Sequence, residues 1–160
     1  MRSSAVLLLS VLVISGDAVA QGTYTTRCGV WTLKCEKSAR DDTRSCSVMH
    51  TTQEKTGSAI LIHHIDRWTG FWTTSSCMIG WMRLDNGTAL DAYGINRFSN
   101  ACAFGIGGAD SAGIANRIGT ATKVKYAATD RAGEHVSAEI STAGFNDCVA
   151  KGREWESRKR

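Results

Sequence analysis

The sequence predicts a single small, mostly β, antiparallel domain stapled by disulfides, with one or two short helices. Three observations carry that expectation. Short runs of alternating apolar and polar residues recur between turn-forming residues, the period of half-buried strands. Long amphipathic stripes of helical period are scarce, and proline is absent from the 160 residues. Six cysteines, Cys28, Cys35, Cys46, Cys77, Cys102 and Cys148, all follow an N-terminal segment with the features of an export signal.

That segment comes first in chain order. Arg2 gives a positive start, Ala5 to Ile14 an apolar run, and Ala18-Val19-Ala20 a small-x-small cleavage site. The run is shorter than the about 20 apolar residues that a bilayer demands. Residues 1–20 are therefore expected to be a signal peptide and residues 21–155 a single domain, ending in a flexible basic tail at residues 156–160. Export implies a periplasmic or secreted protein, with no transmembrane segment after cleavage.

The first strand expected is Val30 to Cys35, with Trp31, Leu33 and Cys35 on its buried face. Cys46 to Thr51 and Ser58 to Ile65 follow, joined by a polar link of hairpin size. Thr69 to Ser75 and Cys77 to Leu84 are next. Asp85-Asn86-Gly87 is then the strongest turn signal, because Asn-Gly accepts the positive φ of a tight hairpin, and Thr88 to Ile95 would return from it. A late hairpin pairs Thr122 to Ala128 with His135 to Ser141. Helices are expected at Ala109 to Ile118 and at Thr142 to Lys151, where Phe145, Cys148 and Val149 share a face and Gly152 reads as a stop.

An even number of cysteines in an exported chain reads as a disulfide framework. A metal site would want ligand spacings such as Cys-x-x-Cys, and none occurs. Six cysteines allow about 15 connectivities, among which the sequence does not choose. The formal net charge of +4 is unevenly placed: residues 151–160 contribute five basic and two acidic side chains. The body is close to neutral, which disfavours a nucleic-acid-binding face. The tail could at most give weak, salt-dependent peripheral association with an anionic surface.

The sequence presents no recognisable catalytic constellation. Gly-x-Ser-x-Gly does not occur, and cysteines in an oxidising compartment pair rather than act as nucleophiles. His63 and His64 are strand neighbours, so they face opposite ways and cannot share a metal; a turn near Lys55 would set His50 opposite about Ile60. The carboxylates fall in turns or beside basic residues. Gly105 to Gly113 lacks the Lys-Ser/Thr of a phosphate loop and reads as a strand-to-helix connection. The expectation is a non-enzyme with no cofactor and no metal. Trp68, Phe71, Trp72 and Trp81 cluster closely; Trp72 and Trp81 read as core, and Trp68, beside Asp66 and Arg67 at a turn, as a partner contact. Arg158, Lys159 and Arg160 of the tail are the other partner-contact candidates.

Gly29 to Cys35, followed by Cys46 to Met49, resembles the opening motif of the invasion-associated locus B proteins of alphaproteobacteria. Arg83 to Gly87 is similar to their central hairpin, and Val136 to Phe145 to their closing strand and helix start. The resemblance implies an exported β-sandwich without catalytic residues, associated with the envelope or with host-cell entry, whose first disulfide would be Cys35–Cys46. Cys77–Cys102 and Cys28–Cys148 then remain as the other pairs. Cys28 and Cys148 are additions to the family pattern, and Cys102 lacks the close partner common in it. The expected partner is an unidentified protein of the envelope or of a host surface, with no nucleic acid involved. The alternative reading is a periplasmic inhibitor of a hydrolase such as lysozyme, since a stapled loop is preorganised to enter a cleft.

Overall fold

The computed structural model describes residues 22–54, 57–73, 77–98, 101–106, 111–130 and 135–158. Ten strands and two helices follow one another: β1 (Thr23–Cys28), β2 (Trp31–Lys37), β3 (Arg44–Glu54), β4 (Gly57–His64), β5 (Trp68–Thr73), β6 (Cys77–Leu84), β7 (Leu90–Phe98), β8 (Ala101–Ile106), α1 (Ser111–Thr120), β9 (Lys123–Asp130), β10 (His135–Ser141) and α2 (Phe145–Ser157). All strand pairs are antiparallel, in the order β1-β2-β3-β4-β5-β8-β7-β6-β9-β10.

This continuous ladder folds back on itself as a sandwich. Register shifts between Gly94 and Asn96 in β7 and between Cys77 and Ile79 in β6 interrupt it; such bulges bend a strand and increase its twist. The layers then meet through side chains. Phe71 of β5 lies 5.5 Å, centroid to centroid, from Tyr126 of β9. The Tyr126 hydroxyl shares a hydrogen bond with Thr52 Oγ1 of β3. A Cβ at Gly80 of β6 would press on the Phe71 and Phe104 rings, so the bare backbone there lets the layers close.

Strand periodicity decides the buried faces. Trp31, Leu33 and Cys35 are buried as the alternation predicts, beside Cys46 and Val48 of β3 and Ala59, Leu61 and His63 of β4. Trp72 departs from expectation. Phe71 is completely buried, so its neighbour Trp72 must face outward and is 41% exposed. Trp81 is only half-buried, with the Arg83 guanidinium 5.9 Å from its ring centroid.

Helix α2 covers the inner face of β2 and β3. Phe145, Cys148, Val149 and Gly152 form its buried stripe at helical spacing. Gly152 does not stop the helix, which continues to Ser157. A Cβ at that position would collide with Ile65 Cδ1 and press on Leu33 and Cys46, so the glycine serves close packing. Helix α1 packs through Ile114, Ala115 and Ile118 and meets α2 where Asn146 Nδ2 donates to the Gly119 carbonyl at 3.0 Å.

Two strands, β1 and β8, were not anticipated from the sequence. The expected turn at Asp85–Gly87 connects β6 to β7 as read, yet its positive φ falls on Asp85 (47°). The Asp85 carboxylate accepts from Thr122 Oγ1 (2.6 Å), Thr122 N and Lys123 N (3.0 Å each). Those bonds, the Thr122 hydroxyl foremost, hold its carboxyl below the usual range and fasten this turn to the start of β9.

Candidate functional site

The cysteines are assembled by strand register and helix packing. Cys35 and Cys46 are direct register partners on β2 and β3 and form a disulfide. Cys28 at the end of β1 is bonded to Cys148 in α2, tying the first edge strand to the last helix. Two of the three expected pairs are therefore present and buried. The side chains of Cys77 and Cys102 lie outside the described residues.

Trp68 is the first residue of β5 rather than part of a free turn. It is half-buried, 4.4 Å from His64 centroid to centroid, on the outer face of the sheet. His64 Nδ1 in turn bonds Ser47 Oγ at 2.8 Å. At the other end of the chain Arg158 directly follows α2, and the tail expected from residue 156 meets an ordered helix through Ser157. Glu156 accepts the Cys46 N–H at 2.6 Å, and burial raises its carboxyl above the ordinary range. Arg44 Nη1 donates to the carbonyls of Trp155 and Arg158 while its guanidinium lies over the Trp155 ring. Lys159 and Arg160 lie outside the described residues. Trp68 and Arg158 are not brought together by any contact described for them.

The histidines separate as strand geometry requires. His63 is 1% exposed, bonds Thr69 Oγ1 through Nδ1 at 2.9 Å, and packs against Phe145. Its Nε2 has no hydrogen-bond partner among the described residues. Burial therefore drives its pKa down to about 4. His50 stands opposite Leu61, one residue from the expected register, with its ring edge-on to Trp31. Burial lowers its pKa too. Among the described residues no three His, Cys, Asp or Glu side chains converge as a metal site would. Several carboxylates have local partners: Asp66 with Arg153 at 2.8 Å, Glu139 with Lys123 at 3.0 Å, and Asp42 with Lys37 at 2.8 Å.

A groove of about 680 Å³ lies between β3 and β10. His50 and Thr52 of β3 face Ala138 and Ile140 of β10 across it, and Val30, from the β1–β2 turn, stands on its rim at 52% exposure. Trp31 Nε1 donates to the Ser141 carbonyl at 3.1 Å at one end. This groove was not found by sequence reasoning. Its walls come from residues some ninety positions apart, and alternation within Ser137 to Ser141 does not say that the strand is a sheet edge.

The fold and its staples define an antiparallel β-sandwich carrying two helices and at least the two disulfides described. Among solved structures it is similar to invasion associated protein B from Bartonella henselae, with a TM-score of 0.60 over 84% of this chain and 99% of that one, at 10% sequence identity. At that identity the likeness establishes a shared fold. No family model and no curated protein sequence matches the chain. Among the described residues no helix is long and apolar enough to cross a membrane.

Proposed function

We propose that this is an exported, non-enzymatic interaction protein of the periplasm or cell surface, acting in the manner of the invasion-associated locus B proteins in envelope function or host-cell entry. The observation that carries the reading is the sandwich shared with invasion associated protein B over nearly that protein's whole length. The two disulfides support it, since such bonds persist in oxidising compartments. The apolar segment ending at Ala18-Val19-Ala20 supports export. The local pairing of Asp66 with Arg153, of Glu139 with Lys123 and of Glu156 with the Cys46 N–H supports a structural rather than a catalytic use of these charges.

Fractionation of the producing cell, N-terminal sequencing of the exported chain and affinity capture from the envelope fraction test this reading together. The expected results are a mature chain beginning at Gln21 and a protein partner retained through washing. A chain that keeps Met1 and fractionates with the cytoplasm would overturn it.

A further inference from the structure

We propose that β10 is a strand-addition site: an extended segment of a partner polypeptide, apolar where it meets Val30, pairs with its free edge inside the groove between β10 and β3. β10 is the last strand of the sheet and pairs only with β9 among the described residues. Thr142 N donates to the Thr122 carbonyl at 3.1 Å. Since backbone groups alternate in direction along a strand, that bond sets the parity of the whole ladder. Ala138 and Ile140 direct their N–H and C=O groups to β9. Ser137, Glu139 and Ser141 direct theirs to the open side.

The Trp31 indole confirms this parity, because it reaches the Ser141 carbonyl from that open side. It also closes one end of the edge. The outward groups left include the N–H and C=O of Ser137 and of Glu139, at the repeat that an extended chain alone can match. The chemistry of the walls selects the partner's side chains. Glu139 is engaged by Lys123, and burial favours the neutral form of His50. Val30 offers an exposed apolar surface at the rim. A charged side chain set against Val30 would lose water to an apolar surface, so the fitting segment is apolar where it meets Val30, while Lys125 leaves a cation elsewhere in the lining.

A second copy of this chain fits less well. Pairing two β10 strands about Glu139 would set like charges opposite each other, and each copy would have to bring its β9 past the β3 wall. This inference deepens the reading of an interaction protein and rests on it.

The test uses the exported chain as the target for selection from a phage-displayed library of short random peptides. β-forming peptides with an apolar residue to set against Val30 should be recovered, and a synthetic peptide of the selected sequence should slow amide exchange at Ser137 and Glu139 about tenfold or more, while Ala138 and Ile140, already bonded to β9, change little. S137P deletes an outward N–H and no bond to β9, so it should keep the melting temperature and weaken the peptide about tenfold or more. V30D, which leaves every backbone bond intact, should also weaken it and serves if S137P fails to fold. Failure to recover peptides, protection elsewhere, or a dimer abolished by S137P would each overturn the proposal. An envelope partner that binds S137P as tightly as the parent protein would remove the edge from the account and leave the interaction reading standing.

Discussion

Removing the Cys28–Cys148 disulfide should cost more stability than removing Cys35–Cys46, although both are buried. The first spans 120 residues and the second 11. In the chain-entropy description, closing the longer loop restricts the denatured chain by about 5 kcal/mol at 25 °C, and the shorter by about 3 kcal/mol. Replacing both cysteines of a pair by alanine removes two sulfur atoms in either case, from positions no more than 6% exposed. The cavity costs are therefore comparable, and the difference of about 2 kcal/mol reports the loops. A structural effect adds in the same direction. Among the described residues β1 pairs only with β2, and its end at Cys28 is fastened to α2 by this bond. Urea unfolding of C28A/C148A and C35A/C46A, produced by the same export route, measures the two losses. Faster amide exchange in β1 should accompany the first. Equal losses, or a larger one for C35A/C46A, would refute the argument from loop length.

Two further outcomes follow from the core. The unfolded chain protonates His63 near its ordinary 6.5, whereas the folded protein does so only at about 4; this contribution is intact above pH 6.5 and declines by roughly 3 kcal/mol as pH falls to 4. Urea midpoints across that range should show the decline, and H63L should flatten it; an unchanged slope would remove His63 as its source. At Gly144, φ is +88° and a Cβ would collide with the Cys28 carbonyl, so G144A should destabilise by about 2–4 kcal/mol; thermal unfolding indistinguishable from the parent would contradict that.

Much of the β architecture was legible because strand periodicity is local. The burial of Trp31, Leu33 and Cys35 and the opposite facing of His63 and His64 follow from alternation along one strand. The late hairpin joining residues near 122–128 to His135–Ser141 also stands as expected. Less was legible where polar residues dominate or where packing overrides propensity. Thr23–Cys28 buries only Cys28, since an edge strand need not carry an apolar face. Trp72 belongs to a strand with large apolar residues in succession, and only the burial of Phe71 settled which one faces out. Gly152, a helix stop by propensity, sits within α2 because Ile65 and Leu33 leave no room for a side chain.

By itself the sequence determined most of the extended segments, the buried face that carries Trp31, Leu33 and Cys35, and that Cys28, Cys35, Cys46 and Cys148 would be held as disulfides. Only the tertiary structure decided which strands border one another, and so which one ends the ladder. Strand order is set by pairings between distant segments, whose backbone groups are alike in every strand. Nothing within Ser137 to Ser141 distinguishes an edge strand from a central one. The groove exists because β10 ends the sheet opposite β3, with Trp31 reaching across to Ser141.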